Sequence, residues 1–165
     1  MLIVSNNIID EIKGADMTAR INLAWVPDVA TAKKLLDKSN YRVYLDYPSG
    51  RMKPPVPIIG IAEAIELSKH EKVLYFAASN IETAIECNAM MELLDDVEFI
   101  PKIETEVGVR NLKEIIATGV KTIMLDKEDL FSDVGCNSDF FNELVEEVRS
   151  YDSIKILELQ GVIFK

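Results

Sequence analysis

Strands and helices alternate along the chain, and that alternation predicts an α/β fold built on a parallel sheet. Three observations carry the expectation. Short apolar runs rich in β-branched and aromatic residues recur seven times. Between them, apolar residues repeat at helical spacing. No linker-like stretch breaks the series, so residues 1–165 read as a single α/β domain.

Leu2–Ser5 is the first strand, with Asn6 and Asn7 as turn or cap residues. Ile8, Ile9 and Ile12 fit a short helix closed by Gly14. Ala19–Val26 reads as the second strand. Pro27-Asp28 then opens a helix with Val29, Ala32, Leu35 and Leu36 on one face. Tyr41–Tyr47 is the third strand, and the proline-rich PSGRMKPPVP after it is a loop. Ile58–His70 is a helix and Lys72–Ala78 the fourth strand. Ser79-Asn80 reads as a cap pair for a helix Ile81–Leu94, with Ile85, Ala89 and Leu93 inward. Val97–Ile103, a helix Val107–Ala117 and Thr122–Leu125 make the next unit. A helix Ser138–Tyr151, striped by Phe141, Leu144, Val145 and Val148, precedes a last strand Ile154–Phe164.

The totals narrow the function. At 165 residues the chain can bury a real core. A net charge of −10 argues against general affinity for nucleic acid or anionic membranes. The cysteines, Cys87 and Cys136, form no Cys-x-x-Cys pair, which disfavours a zinc site or a disulfide framework. Without a leader-like N-terminus or a bilayer-spanning apolar run, a cytoplasmic location is expected. His70 stands between a helix and a strand beside Glu71 and Lys72, so histidine-based acid–base chemistry is not expected.

The chemistry concentrates in Val97–Asp133. Parallel strands direct their C-terminal ends to one rim. Lys102 and Glu104 fall at one strand end, and Asp126 to Asp129 fall at the next. A lysine and at least two carboxylates converging there can hold a hard divalent cation and leave coordination positions for a substrate. Read in isolation, Glu104 could instead cap a helix, and Asp126, Lys127 and Glu128 could be an ordinary charged loop.

The same stretch carries a resemblance. PKIETEVGVRNLKEI resembles the Lys-Ile-Glu strand end and the following helix of the pyruvate kinase barrel. KEDLFSDVG is closer to the Ala-Glu-Asp-Leu pattern of the citrate lyase β-subunit and the oxo-acid aldolases. MTARINLAW and LDYPSGRMK resemble two further kinase segments, in the same order. The chain is thus similar to the phosphoenolpyruvate/pyruvate-utilising TIM-barrel superfamily. This implies a (β/α) TIM-barrel-like fold of about seven parallel strands, incomplete because a closed barrel usually needs about 200 to 250 residues. The kinase lid would insert after LDYPSGRMK, where only a short loop stands, so no lid domain is expected.

The resemblance also assigns roles. Glu104 and Asp129 match the metal-binding carboxylates, with Mg2+ or Mn2+ the implied ion. Lys102 matches the catalytic lysine, and Arg20 matches an arginine that grips a phosphate or carboxylate; Arg20 could equally pair with Asp46 or Glu104. Asn22 and Asp46 match monovalent-cation ligands, but Ala24 stands where a serine belongs. Ser79 matches a kinase serine, although a helix N-cap explains it better.

The function that fits best is a metal-dependent carbon–carbon lyase or aldolase acting on a small anionic 2-oxo acid. A catalytically degenerate scaffold or regulatory subunit is the alternative, and a phosphotransferase ranks last. A barrel short of a strand has edges to cover, so a homo-oligomer is expected.

Overall fold

The computed structural model describes residues 2–4, 17–50, 58–94 and 96–159. The chain divides into two compact units, Met1–Ala78 with Leu93–Phe99, and Ser79–Glu92 with Ile100–Lys165. The helix expected around Ile8–Gly14 and the end of the last expected strand lie outside the described residues.

In the first unit, β1 (Leu2–Val4), β2 (Met17–Asn22), β3 (Arg42–Tyr47) and β4 (Val73–Ala78) pair in parallel in chain order. Val43, Tyr44, Leu45 and Asp46 are all buried, as befits a parallel strand covered on both faces. β2 ends sooner than its apolar run suggests. Asn22 accepts a hydrogen bond from the Ala24 amide at 2.9 Å and turns Leu23–Trp25 into a 3-10 turn. Helix α1 (Val29–Lys38) starts at Asp28, whose carboxylate accepts from the Thr31 amide at 2.7 Å. Its far end is held by Lys72, which donates to the carbonyls of Leu36 and Asp37. Helix α2 (Ile61–Ser68) packs Ala64 and Leu67 inward.

The second unit holds helix α3 (Ala84–Leu93) up to Glu92, the end of β5 (Glu98–Ile103), helices α4 (Glu106–Arg110) and α5 (Leu112–Ala117), β6 (Thr122–Asp126), helices α6 (Lys127–Asp133) and α7 (Ser138–Arg149), and β7 (Lys155–Leu159). β5, β6 and β7 pair in parallel in chain order. Thr105 caps α4, so Glu104 is not a helix cap. Gly119, at φ +94°, ends α5 in the left-handed conformation that glycine adopts without penalty. KEDLFSD is helical rather than a loop, because Asp126 accepts from the Asp129 amide and starts α6. Of the expected α7 stripe, Leu144, Val145 and Val148 are buried and Phe141 is half-buried.

Helix α3 departs most from the sequence expectation. It begins at Ala84, not at Ile81. Thr83 and Glu86 form a reciprocal cap: the Thr83 amide donates to Glu86 at 2.9 Å, and the Glu86 amide donates to Thr83 Oγ1 at 3.2 Å. The face turned inward also differs from the one expected. Cys87 is buried, while Ile85 is 81 % and Leu93 51 % exposed and Ala89 is exposed as well.

Candidate functional site

β5 and β6 run in register, with Lys102 opposite Met124 and Ile103 opposite Leu125. Side chains two residues apart share a face of a strand. Lys102 and Glu104 therefore fall on the face that also carries Met124 and Asp126. Lys102 and Glu104 are each only 3 % exposed, and Asp126 is buried as well. Lys102 Nζ lies 2.5 Å from Glu104 Oε1 and 3.2 Å from Asp126 Oδ2. Asp129, exposed in the first turn of α6, completes the group. One carboxylate oxygen from each of Glu104, Asp126 and Asp129 lies within 4.8 Å of the others.

The residues before α3 bind the same groups. Ser79 Oγ is 3.3 Å from Lys102 Nζ and accepts from it. The Asn80 amide donates to Glu104 Oε2 at 2.7 Å. Ser79 is therefore a partner of Lys102, not the helix cap expected from its position. Burial pushes the Glu104 carboxyl above its usual range, against the pull of the Lys102 ammonium and the Asn80 amide. Glu104 Oε1 is buried and receives no directed hydrogen bond, although Lys102 Nζ is close. Charge rather than hydrogen-bond geometry holds that oxygen.

These residues fit a hard divalent cation. All donors are carboxylate oxygens, and three carboxylates against one ammonium leave a surplus of negative charge. A magnesium ion with bonds of about 2.1 Å spans at most about 4.2 Å between two ligands, so the oxygens would need to close by at most about 0.6 Å. The exposed Asp129 side chain has the freedom to do so. Lys102 is the competitor, since it already neutralises part of the same charge.

Arg20 lies in the first unit, ion-paired to the buried Asp46 through Nη2, with Nε donating to the same oxygen at 2.8 Å. Asp46 is thus committed to Arg20, and Asn22 to the turn after β2. Trp25 is 68 % exposed, and Phe131 packs edge-on against Phe141 at 5.3 Å.

Asp126 and Asn80 were the residues that the sequence underplayed. Counting in twos from Lys102 and Met124 places Asp126 beside Glu104, so a signal for it existed. Thr83-x-x-Glu86 likewise marked the true start of α3 and left Asn80 outside the helix.

No protein-family model matches the sequence, and no curated protein matches it. Solved structures do. RipC from Yersinia pestis aligns at a TM-score of 0.64 and 17 % identity, over 98 % of this chain and 76 % of that one. An HpcH/HpaI aldolase/citrate lyase family protein from Burkholderia cenocepacia J2315 aligns at a TM-score of 0.68 and 14 % identity, over 87 % of this chain and 71 % of that one. At such identities the likeness shows the fold: α/β, TIM-barrel-like and incomplete. Pro48–Gly60, the whole connection from β3 to α2, is too short for a lid domain. Among the described residues, no helix is long and apolar enough to cross a membrane.

Proposed function

We propose that this chain is a magnesium- or manganese-dependent enzyme that makes or breaks a carbon–carbon bond in a small pyruvate-like 2-oxo acid, as a lyase or aldolase. The observation that supports the reading most is the convergence of Glu104, Asp126 and Asp129 around the buried Lys102. The aldolase/citrate lyase family fold adds to it.

Glu104 and Asp129, with Asp126, would hold the cation. When bound, it supplies Lewis-acid polarisation of the carboxylate and carbonyl oxygens of the substrate. Lys102 offers a fixed ammonium in a dry site, where it can balance negative charge that develops as the bond beside the carbonyl breaks. Burial raises the worth of that interaction above its value in water. Arg20 carries a planar fork that suits a carboxylate, and within its own unit that fork is engaged by Asp46. We place the enzyme in the cytoplasm as a homo-oligomer.

The second reading is a degenerate scaffold or regulatory subunit. The ion pairs of Lys102 with Glu104 and Asp126 favour it, since the network is largely satisfied without a substrate. Calorimetric titration with Mn2+ and Mg2+ separates the two. The enzyme reading expects binding by the wild type that disappears in Glu104→Gln, and then pyruvate release from a panel of 2-oxo and 3-hydroxy acids. Absence of cation binding in both proteins would leave the scaffold.

A further inference from the structure

We infer that Asn80 is a positioning residue for Glu104: held in a left-handed conformation, its backbone amide fixes Oε2 and so keeps Oε1 turned toward Lys102 and the carboxylate cluster. The inference rests on the metal-binding reading above and names how this chain orients its own ligand.

Asn80 has φ +55°. Asparagine enters that region readily, whereas a β-branched residue there is a true outlier. The amide it presents lies 2.7 Å from Glu104 Oε2. The preceding residue acts on the other member of the pair, since Ser79 Oγ accepts from Lys102. Two consecutive residues thus hold the carboxylate and the ammonium by separate atoms.

The segment that does this is fixed on its other side. The Ile81 amide donates to the Lys102 carbonyl at 3.3 Å. Asn111 Nδ2 donates to the Glu82 carbonyl at 2.9 Å, and Thr105 Oγ1 donates to Glu82 Oε1 at 2.8 Å. Gly108 makes this close approach possible. A Cβ there would sit 3.0 Å from the Ile81 carbonyl oxygen, tighter than side chains ordinarily pack against backbone. A carboxylate whose one oxygen accepts from a rigid amide can rotate little. Oε1, buried and 2.5 Å from the Lys102 ammonium that also pairs with Asp126, is the oxygen on the side of the cluster.

The test uses Asn80→Val, Asn80→Gly and the wild type, with Mn2+ as the probe. Mn2+ affinity is read by electron paramagnetic resonance, and protection of the residue-80 amide by hydrogen exchange without metal. Asn80→Val is expected to lose at least tenfold in Mn2+ affinity and to lose amide protection. Asn80→Gly, which keeps the left-handed backbone, is expected to stay within a few-fold of wild type and to keep protection. Equal Mn2+ affinity in wild type and Asn80→Val would overturn the inference, as would equal loss in both variants, which would point to the side chain. A wild type that binds no Mn2+ sinks the metal reading and this inference with it. A wild-type amide protected no better than in Asn80→Val overturns the positioning alone.

Discussion

Two glutamates of the second unit face basic partners and respond in opposite directions. Glu104 sits at the end of β5 against Lys102, and its carboxyl is pushed up. Glu158 sits on β7 against Arg149 and Lys127, and its carboxyl is held down to about 2. The partners are alike; the surroundings differ. Glu158 keeps much of its hydration, and Arg149 donates to both its oxygens, at 2.6 and 2.9 Å. Glu104 has given up water, and one ammonium with one amide does not repay that loss. A surface network can relax around its charges. A buried cluster has no solvent to relax into and must balance its charges among its own members.

The sharpest way to break the contrast is Lys102→Met. It leaves buried carboxylates facing each other and should cost about 3–5 kcal/mol in urea unfolding. A cost below about 1 kcal/mol, of the kind expected for an exposed pair, would mean that the cluster is wetter than its burial indicates. Next comes the cation itself. Mn2+ at a hundredfold excess over its dissociation constant should stabilise the wild type by about 2.7 kcal/mol, and Glu104→Gln not at all.

Without metal, Glu104 also sets a pH dependence. Its folded-state pKa is raised, so its contribution to stability is fully present below the ordinary 4.5 and is lost as pH rises through the raised value. Metal-free Glu104→Gln, which mimics the neutral form, should therefore gain on the wild type as pH rises towards neutrality. A difference between the two that does not change with pH would contradict the raised carboxyl.

Asp46→Asn is an intermediate case. It removes the charge from a buried acceptor of a half-buried arginine, and a loss of about 2 kcal/mol is expected. Glu158→Gln should show the smallest effect, about 0.5 kcal/mol after solvent screening, and less in high salt. Its sign is opposite to that of Glu104. The Glu158 contribution is present above 4.5 and fades as pH falls towards 2. A salt-insensitive loss would show that Glu158 packs rather than pairs.

The alternation of periods was enough to reveal the α/β class and nearly every strand, because apolar spacing reflects which face each element must bury. Glu104 and Asp129 could be picked as neighbours for the same reason: parallel strands bring their C-terminal ends to one rim. Three things waited for the tertiary structure. The strand end offered Asp126 to Asp129 together, and only the β5–β6 register and the α6 start showed that Asp126 pairs with Lys102. Asn80 became a donor to Glu104, and Ile85 and Leu93 faced outward, only once α3 had packed against its neighbours. The raised carboxyl of Glu104 depends on how much water the fold removes around it. Periodicity is local and is written along the chain, whereas register, helix phase and desolvation arise only when distant segments meet.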